Sequence, residues 1–72
     1  MERKDTLIKL GDQIRSMREK QGISQVELAD RIGKDKQAVN RIEQGKVNPG
    51  YFQLREISEG LDITLSELLD GL

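Results

Sequence analysis

Apolar residues in this chain recur at helical spacing, and glycine interrupts each such stretch before it becomes long. The first stretch places apolar side chains at steps of three and four, at Leu7, Leu10, Ile14 and Met17. Glycine follows the successive stretches at positions 22, 33, 45 and 60. The sequence lacks the strict apolar and polar alternation of a β-strand. The pattern therefore predicts an all-α fold of short helices.

Start and stop signals divide the chain into five helices. The capping-box pattern of a helix start occurs twice, as S-x-x-E at 24–27 and T-x-x-E at 64–67. Asp35 is the predicted cap of the third helix, and either Asn48 or Gly50 caps the fourth. The predicted helices cover approximately residues 6–20, 25–32, 36–44, 51–58 and 65–69.

Length and composition restrict the class of protein. A chain of 72 residues can bury one small core, so residues 1–72 are predicted to form a single domain. The sequence has no cysteine and no histidine, which excludes disulfides, thiol nucleophiles, imidazole bases and the usual zinc sites. We therefore expect no enzyme activity, catalytic residue, metal or cofactor. No apolar span or signal segment is present, which predicts a cytoplasmic location.

Charge is distributed unevenly along the chain. Residues 1–46 carry eleven Lys or Arg and eight acids, a net charge of +3. Residues 47–72 carry one Arg and five acids, a net charge of −4. The first part is thus suited to an anionic partner, although the overall charge of −1 is low for a nucleic-acid-binding protein and a solvated surface would show the same composition.

Residues 25–44 are the most informative segment, because they place two short helices on either side of a three-residue connection. The small side chain of Ala29 allows close helix crossing, and Gly33 is suited to the positive φ of a tight turn. Val39 and Ile42 are placed to attach the second of these helices to the core. This spacing is typical of a helix-turn-helix, although an ordinary helical hairpin satisfies it equally well.

Residues 10–69, which are 60 of the 72 in the chain, resemble the phage-repressor/Cro-like helix-turn-helix family, also called the Xre family. The matching motifs are I-R-x-x-R-E at 14–19, G-I-S-Q-x-E-L-A at 22–29, R-I-E-x-G-K at 41–46, N-P at 48–49 and L-D-I-T-L-S-E-L-L at 61–69. The resemblance implies a compact five-helix domain of the lambda-repressor-like type. In that family, helices two and three form the helix-turn-helix and the third helix enters the DNA major groove.

The resemblance also implies which residues meet DNA. Four residues on the exposed start of the third helix would read bases: Lys36, Gln37, Asn40 and Arg41. Amide side chains are suited to adenine and cationic side chains to guanine. Three residues would contact the phosphate backbone, namely Gln25, Lys46 and Asn48, with Gln25 also supporting Lys36. Without the resemblance, these residues would be interpreted as solvated surface.

Two charged positions are expected to serve structure. Arg18 and Glu43 occupy positions where the resemblance implies a partly buried ion pair between helices one and three. Asp35 departs from the family pattern, which more often has Ser or Thr there. Its carboxylate would repel phosphate unless it caps the third helix, so we expect weak non-specific binding to DNA.

Apolar side chains are in surplus near the C-terminus. Leu54, Ile57, Leu61, Ile63 and Leu65 are expected to face the core. Phe52, Leu69 and Leu72 remain as candidates for an exposed patch, and we expect them to form the interface of a homodimer. Scattered exposed apolar residues, which are common on any protein surface, are the competing interpretation.

The combined expectation is a sequence-specific regulator of transcription, a repressor or autoregulator, that binds a double-stranded DNA operator with inverted-repeat symmetry. A restriction-modification controller and an antitoxin both agree with the sequence. The alternative is a protein-interaction module or antitoxin-type partner-binding protein in which DNA binding is secondary. Salt-dependent binding to duplex DNA distinguishes the two classes.

Overall fold

A computed structural model describes residues 3–72, all of them helical or in turns and connections. Five helices occur in this range: α1 (Arg3–Lys20), α2 (Gln25–Arg31), α3 (Lys36–Glu43), α4 (Tyr51–Gly60) and α5 (Leu65–Leu68). Met1 and Glu2, which the predicted 1–72 domain and N-terminus include, lie outside the described residues. Among residues 3–72, no helix is both long and apolar enough to cross a membrane.

The core lies between the helices and consists almost entirely of aliphatic side chains. Its members are Leu10, Ile14, Ile23, Leu28, Ala29, Ile32, Val39, Ile42, Ile57, Leu61 and Leu68. Met17, Val47, Leu54, Ile63 and Leu65 pack against it at its edge. Three of the four residues of the stripe predicted on α1, Leu10, Ile14 and Met17, therefore lie in or against the core, while Leu7 is only half-buried. The five C-terminal residues expected to face the core all pack there.

Hydrogen-bonding caps define most helix starts as predicted. The Ser24 hydroxyl accepts from the Glu27 amide at 3.0 Å. The Thr64 hydroxyl accepts from the Glu67 amide and Glu67 Oε1 accepts from the Thr64 amide, both at 3.0 Å, which completes a capping box. The sequence left Asn48 and Gly50 as alternatives for the N-cap of α4. The N-cap is Gly50, and no side chain makes a capping hydrogen bond there.

Two local predictions were wrong. α1 begins at Arg3, three residues before the predicted start. The capping box expected at 24–27 has only its hydroxyl half, because the Glu27 carboxylate pairs with Arg31 Nη2 at 2.7 Å. Gly60 is the last residue of α4, as the glycine pattern predicted, and the left-handed residue follows at Asp62, with φ 56°.

Gly60 also permits a close approach between α4 and α2. A Cβ at this position would lie 2.9 Å from Ile32 Cγ2 and 3.3 Å from Leu28 Cδ1. Arg31 Nη1 also donates to the Gly60 carbonyl at 2.9 Å. α4 thus packs against α2. The outer face of α3 takes no part in this contact.

Candidate nucleic-acid interface

α2 and α3 are joined by a tight turn at residues 32–35. Gly33 adopts φ 68°, a conformation that costs glycine little. The Lys34 amide donates to the Ala29 carbonyl at 2.9 Å, which closes the end of α2. Asp35 then starts α3, because its Oδ1 accepts from the Ala38 amide at 2.8 Å. One Asp35 oxygen therefore caps the helix, as the sequence predicted.

A buried ion pair connects α1 to the end of α3. Arg18 Nε donates to Glu43 Oε2 at 2.7 Å, and Arg18 Nη2 donates to Glu43 Oε1 at 3.1 Å. Arg18 Nη1 also donates to the Ile23 carbonyl at 2.8 Å. The hydrogen bonding of the Arg18 guanidinium to the Glu43 carboxylate raises the pKa of Arg18, while burial opposes that rise. The pair forms at the positions that the sequence indicated and sets the position of α3 against α1.

Gln25 connects this ion pair to the outer part of α3. Its Nε2 donates to Glu43 Oε1 at 3.0 Å and to Asn40 Oδ1 at 3.2 Å. The prediction that Gln25 contacts Lys36 was therefore wrong. The Gln25 side-chain amide contacts Asn40 instead, one helical turn further along α3. The contact orients the Asn40 amide and leaves its Nδ2 available as a donor.

The outer face of α3 carries the other three predicted base-reading residues. Lys36, Gln37 and Arg41 are exposed, whereas Asn40 is half-buried against Gln25. Val39 and Ile42, on the opposite side of the helix, are 2% and 3% exposed and anchor it to the core. The helix therefore presents cationic and amide groups outward from a rigid support.

The connection after α3 also exposes polar groups. Lys46 and Asn48 are exposed, while Val47 between them packs against the core and Pro49 is buried. The Lys46 amide donates to the Arg41 carbonyl at 3.0 Å. The alternation of exposed and buried residues holds this segment close to the end of α3.

Gly11 contributes to the site and was not predicted from the sequence. A Cβ there would lie 2.4 Å from the Glu43 carbonyl oxygen and 2.6 Å from the Ile42 carbonyl oxygen. Only glycine therefore lets α1 cross the end of α3 at this distance. The signal was a glycine in the interior of α1, four residues after Leu7 and three before Ile14, which places it beside the apolar stripe.

The three predicted interface residues all expose apolar surface. Phe52, Leu69 and Leu72 are 78%, 37% and 46% exposed. Tyr51 adds to the aromatic surface, with its ring 5.6 Å from that of Phe52 in an edge-to-face arrangement.

Within residues 3–72, no three acidic side chains gather closely enough to hold a metal ion.

Two short helices at a tight turn, with polar and cationic side chains on the outer face of the second, define a helix-turn-helix DNA-binding domain. The helix-turn-helix family model matches residues 14–68, and this chain belongs to that family. The family predicted from the sequence motifs is thereby confirmed.

The similar proteins include a control protein and a restriction-modification controller. The control protein C.MunI from Mycoplasma is 39% identical over 69 residues, covering 94% of this chain and 93% of that protein. The restriction-modification controller C.AhdI from Aeromonas hydrophila is 31% identical with a TM-score of 0.90, covering 94% of this chain and 99% of that one. The clp gene regulator ClgR from C. glutamicum shares the fold, with a TM-score of 0.85 and 22% identity over 89% of this chain and 83% of that one.

The family and its relatives establish the biochemical class. The protein is a sequence-specific regulator of transcription that binds double-stranded DNA, and it is not an enzyme. The prediction of an all-α, lambda-repressor-like fold is confirmed by the five helices and the similar structures.

Proposed function

We propose that this protein is a homodimeric controller that binds an inverted-repeat operator and regulates the genes of a restriction-modification system. The observation that carries the proposal is its similarity to two controller proteins over nearly their whole lengths. The proposal selects the controller among the regulators that the sequence alone left open.

Base reading is assigned to the outer face of α3. Arg41 and Lys36 are suited to the O6 and N7 acceptors of guanine, and Gln37 and Asn40 to the N6 and N7 groups of adenine. The exposure of Lys36, Gln37 and Arg41 supports this assignment. The hydrogen bond from Gln25 supports a fixed orientation of Asn40, which reduces the entropy lost when its amide meets a base.

Backbone contact is assigned to residues that flank this face. Lys46 and Asn48 are exposed in the connection after α3. Gln25 is the first residue of α2, where free amide groups favour a phosphate. These contacts would fix the position of the domain on the duplex without reading sequence.

Dimerisation is assigned to Phe52, Leu69 and Leu72, whose exposed apolar surface supports an interface. A two-fold dimer would place its two α3 helices about 34 Å apart, so that half-sites are centred roughly 10 base pairs apart. Dimerisation would also compensate for a net charge of −1, which limits the affinity of one domain for DNA.

Selection of bound sequences from random duplex DNA tests the proposed operator. We expect enrichment of an inverted repeat, with an affinity that falls steeply as salt increases. Arg41→Ala should relax the enriched sequence at one position of each half-site, while Arg55→Ala, which removes an exposed arginine on α4, serves as its control. An affinity for duplex DNA that depends neither on the DNA sequence nor on the salt concentration would contradict operator recognition.

Restriction-modification control needs its own test. The selected operator should occur upstream of restriction or modification genes in the source genome, and a reporter placed behind it should respond to the protein. An operator found only beside unrelated genes would contradict this part of the proposal and leave DNA recognition standing.

Sedimentation at micromolar concentration tests the dimer. We expect a dimer for the unchanged protein, a monomer for Phe52→Ser, and a dimer for Val26→Ser, which removes an apolar side chain that is 51% exposed on α2. A strict monomer that binds one half-site as tightly as the full operator would contradict the dimer.

A further inference from the structure

A chain of hydrogen bonds leads from the buried ion pair to the amide of Asn40 on α3. Both oxygens of the Glu43 carboxylate accept from Arg18, at 2.7 and 3.1 Å. Glu43 Oε1 also accepts from Gln25 Nε2 at 3.0 Å, and the same nitrogen donates to Asn40 Oδ1 at 3.2 Å. Asn40 is thus the last member of a chain that begins in the protein interior.

The chemistry of Glu43 fixes the direction of the bonds in this chain. A carboxylate that is paired with an arginine has acceptor sites and no donor, so only the NH2 group of Gln25 can bond to it. That NH2 group has two hydrogens, and its two bonds go to Glu43 and to Asn40. If the Asn40 amide were turned over, its own NH2 group would face that of Gln25 and a hydrogen bond would be lost. Asn40 Oδ1 is therefore held toward Gln25.

The other end of the Asn40 amide, Nδ2, is open to a ligand. Within residues 3–72, no buried side-chain nitrogen or oxygen lacks a hydrogen-bond partner. Asn40 Nδ2 donates to no group in that range, so this atom reaches the surface. Asn40 follows the exposed Lys36 and Gln37 by one helical turn, which makes the three side chains neighbours on α3.

Resting on the proposed function, we propose that the Arg18–Glu43 pair acts through Gln25 to make Asn40 a hydrogen-bond donor only toward the bases of the operator. A donor can bind both the O6 and the N7 acceptors of guanine. At adenine it keeps N7 and faces the N6 amino group, which is itself a donor. Asn40 therefore prefers guanine to adenine, the reverse of the choice expected for an asparagine that is free to turn. Arg18, Glu43 and Gln25 become positioning residues for that choice.

Gln37 provides the contrast on the same helix. Its side chain is exposed, and no hydrogen bond within residues 3–72 holds its amide. It can therefore turn to offer one donor and one acceptor to adenine. Gln37 and Asn40 carry the same chemical group, yet they select different bases because only Asn40 is held by a neighbour.

Base analogues at the operator position read by Asn40 provide the direct test. That position is the one at which Asn40→Ala relaxes the preference of the selected operator. For the unchanged full-length protein, we expect guanine to bind more tightly than adenine there. Replacement of that guanine by 7-deazaguanine should weaken binding about fivefold, the equivalent of roughly 1 kcal/mol for one hydrogen bond. 2-Aminopurine, which pairs with thymine and lacks the N6 amino group, should bind at least as tightly as adenine.

Exchange of two side chains tests the positioning role. Gln25→Glu combined with Glu43→Gln keeps the net charge and places a carboxylate beside Asn40. The carboxylate accepts from Asn40 Nδ2, so Oδ1 turns outward and the preference should move toward adenine, whose N6 amino group donates. The ratio of the guanine and adenine affinities is the readout, because a loss of stability lowers both affinities together. Gln44→Glu, which introduces a carboxylate at an exposed position at the end of α3, is the matched control and should leave this ratio unchanged.

The outcomes separate this inference from the proposed function. Tighter binding of an A·T pair than of a G·C pair at that position, weaker binding of 2-aminopurine than of adenine, or a folded exchange variant with the original ratio would overturn the fixed donor while sequence-specific binding stands. If Asn40→Ala weakens all operators alike, the donor contacts a phosphate and the inference is also overturned. Failure to select any operator would remove the proposed function, and this inference with it. The analogue series uses the unchanged protein, so it decides the question even if the exchange variant does not fold.

Discussion

Arg18 and Glu43 form a doubly bonded ion pair in the protein interior, with side chains that are 10% and 2% exposed. The pair joins two helices that are far apart in sequence, and Gln25 extends it to Asn40. The position of the recognition helix therefore depends on a charge network that contacts α1, α2 and α3.

We predict strong coupling between Arg18 and Glu43 in the free energy of unfolding. Arg18→Ala and Glu43→Ala should each cost about 3–5 kcal/mol, since each leaves a buried charge without its partner. The double variant should lose less than the sum. Urea unfolding of the four proteins measures the coupling. The same cycle on Arg15 and Asp12, whose side chains are 49% and 58% exposed, should give less than about 1 kcal/mol. Equal coupling in the two cycles would contradict the prediction.

Gly11→Ala should destabilise the protein despite the higher helix propensity of alanine. The added Cβ would meet the backbone carbonyl oxygens of Glu43 and Ile42 at 2.4 and 2.6 Å, and backbone cannot yield as a flexible side chain does. Overpacking of this kind costs about 1–3 kcal/mol. Gly50→Ala is the matched control, because nothing lies within 4 Å of its Cβ position and its φ is −76°. Thermal unfolding of both variants is the measurement, and equal midpoints would show that α1 can shift to make room.

Gln25→Glu should impair both folding and DNA binding. The new carboxylate would lie near Glu43 Oε1, which the Gln25 amide now contacts at 3.0 Å, and like charges at that distance repel. We expect a loss of stability of about 1–3 kcal/mol. Gln25→Ala should change stability less but relax the base preference governed by Asn40. Gln44→Ala, an exposed amide at the end of α3, is the control for both measurements. An unchanged base preference in Gln25→Ala would remove Gln25 as a positioning residue.

Substitutions on α3 should separate base reading from backbone contact. Arg41→Ala and Gln37→Ala should each cost about 1–3 kcal/mol on the preferred site and relax one operator position. Lys46→Ala should weaken all sequences alike and reduce the dependence of affinity on salt. Titrations against a set of single-base operator variants provide the measurement. If both α3 variants keep the original preference, these two residues do not read bases.

Glu67 should contribute to stability at neutral pH and lose that contribution in acid. Hydrogen bonds from the Thr64 backbone and side chain lower the pKa of Glu67. The stabilisation that the ionised Glu67 carboxylate provides is therefore complete above the ordinary glutamate pKa of about 4.3. It is lost as the pH falls through the lower pKa that Glu67 has in the folded protein. Glu67→Gln should flatten this part of the stability profile, measured by urea unfolding between pH 7 and pH 2. Glu59→Gln removes an exposed glutamate near the end of α4 and controls for the loss of one charge. Identical acid profiles for Glu67→Gln and the unchanged protein would contradict the prediction.

The sequence by itself determined the features that depend on neighbouring residues. The caps at Asp35 and Thr64 each join residues three apart, so they form whenever the local helix forms. The apolar stripe of α1 and the turn at Gly33 are equally local. The motifs that span 14–69 added the family, and with it the pairing of Arg18 with Glu43 across 25 residues.

Only the tertiary structure decided which side chains meet where helices cross. Gln25 contacts Asn40 and not Lys36, because the placement of α2 on α3 brings it one turn further along. Gly11 and Gly60 are needed for close approaches between helices, which depend on distances that no local pattern encodes.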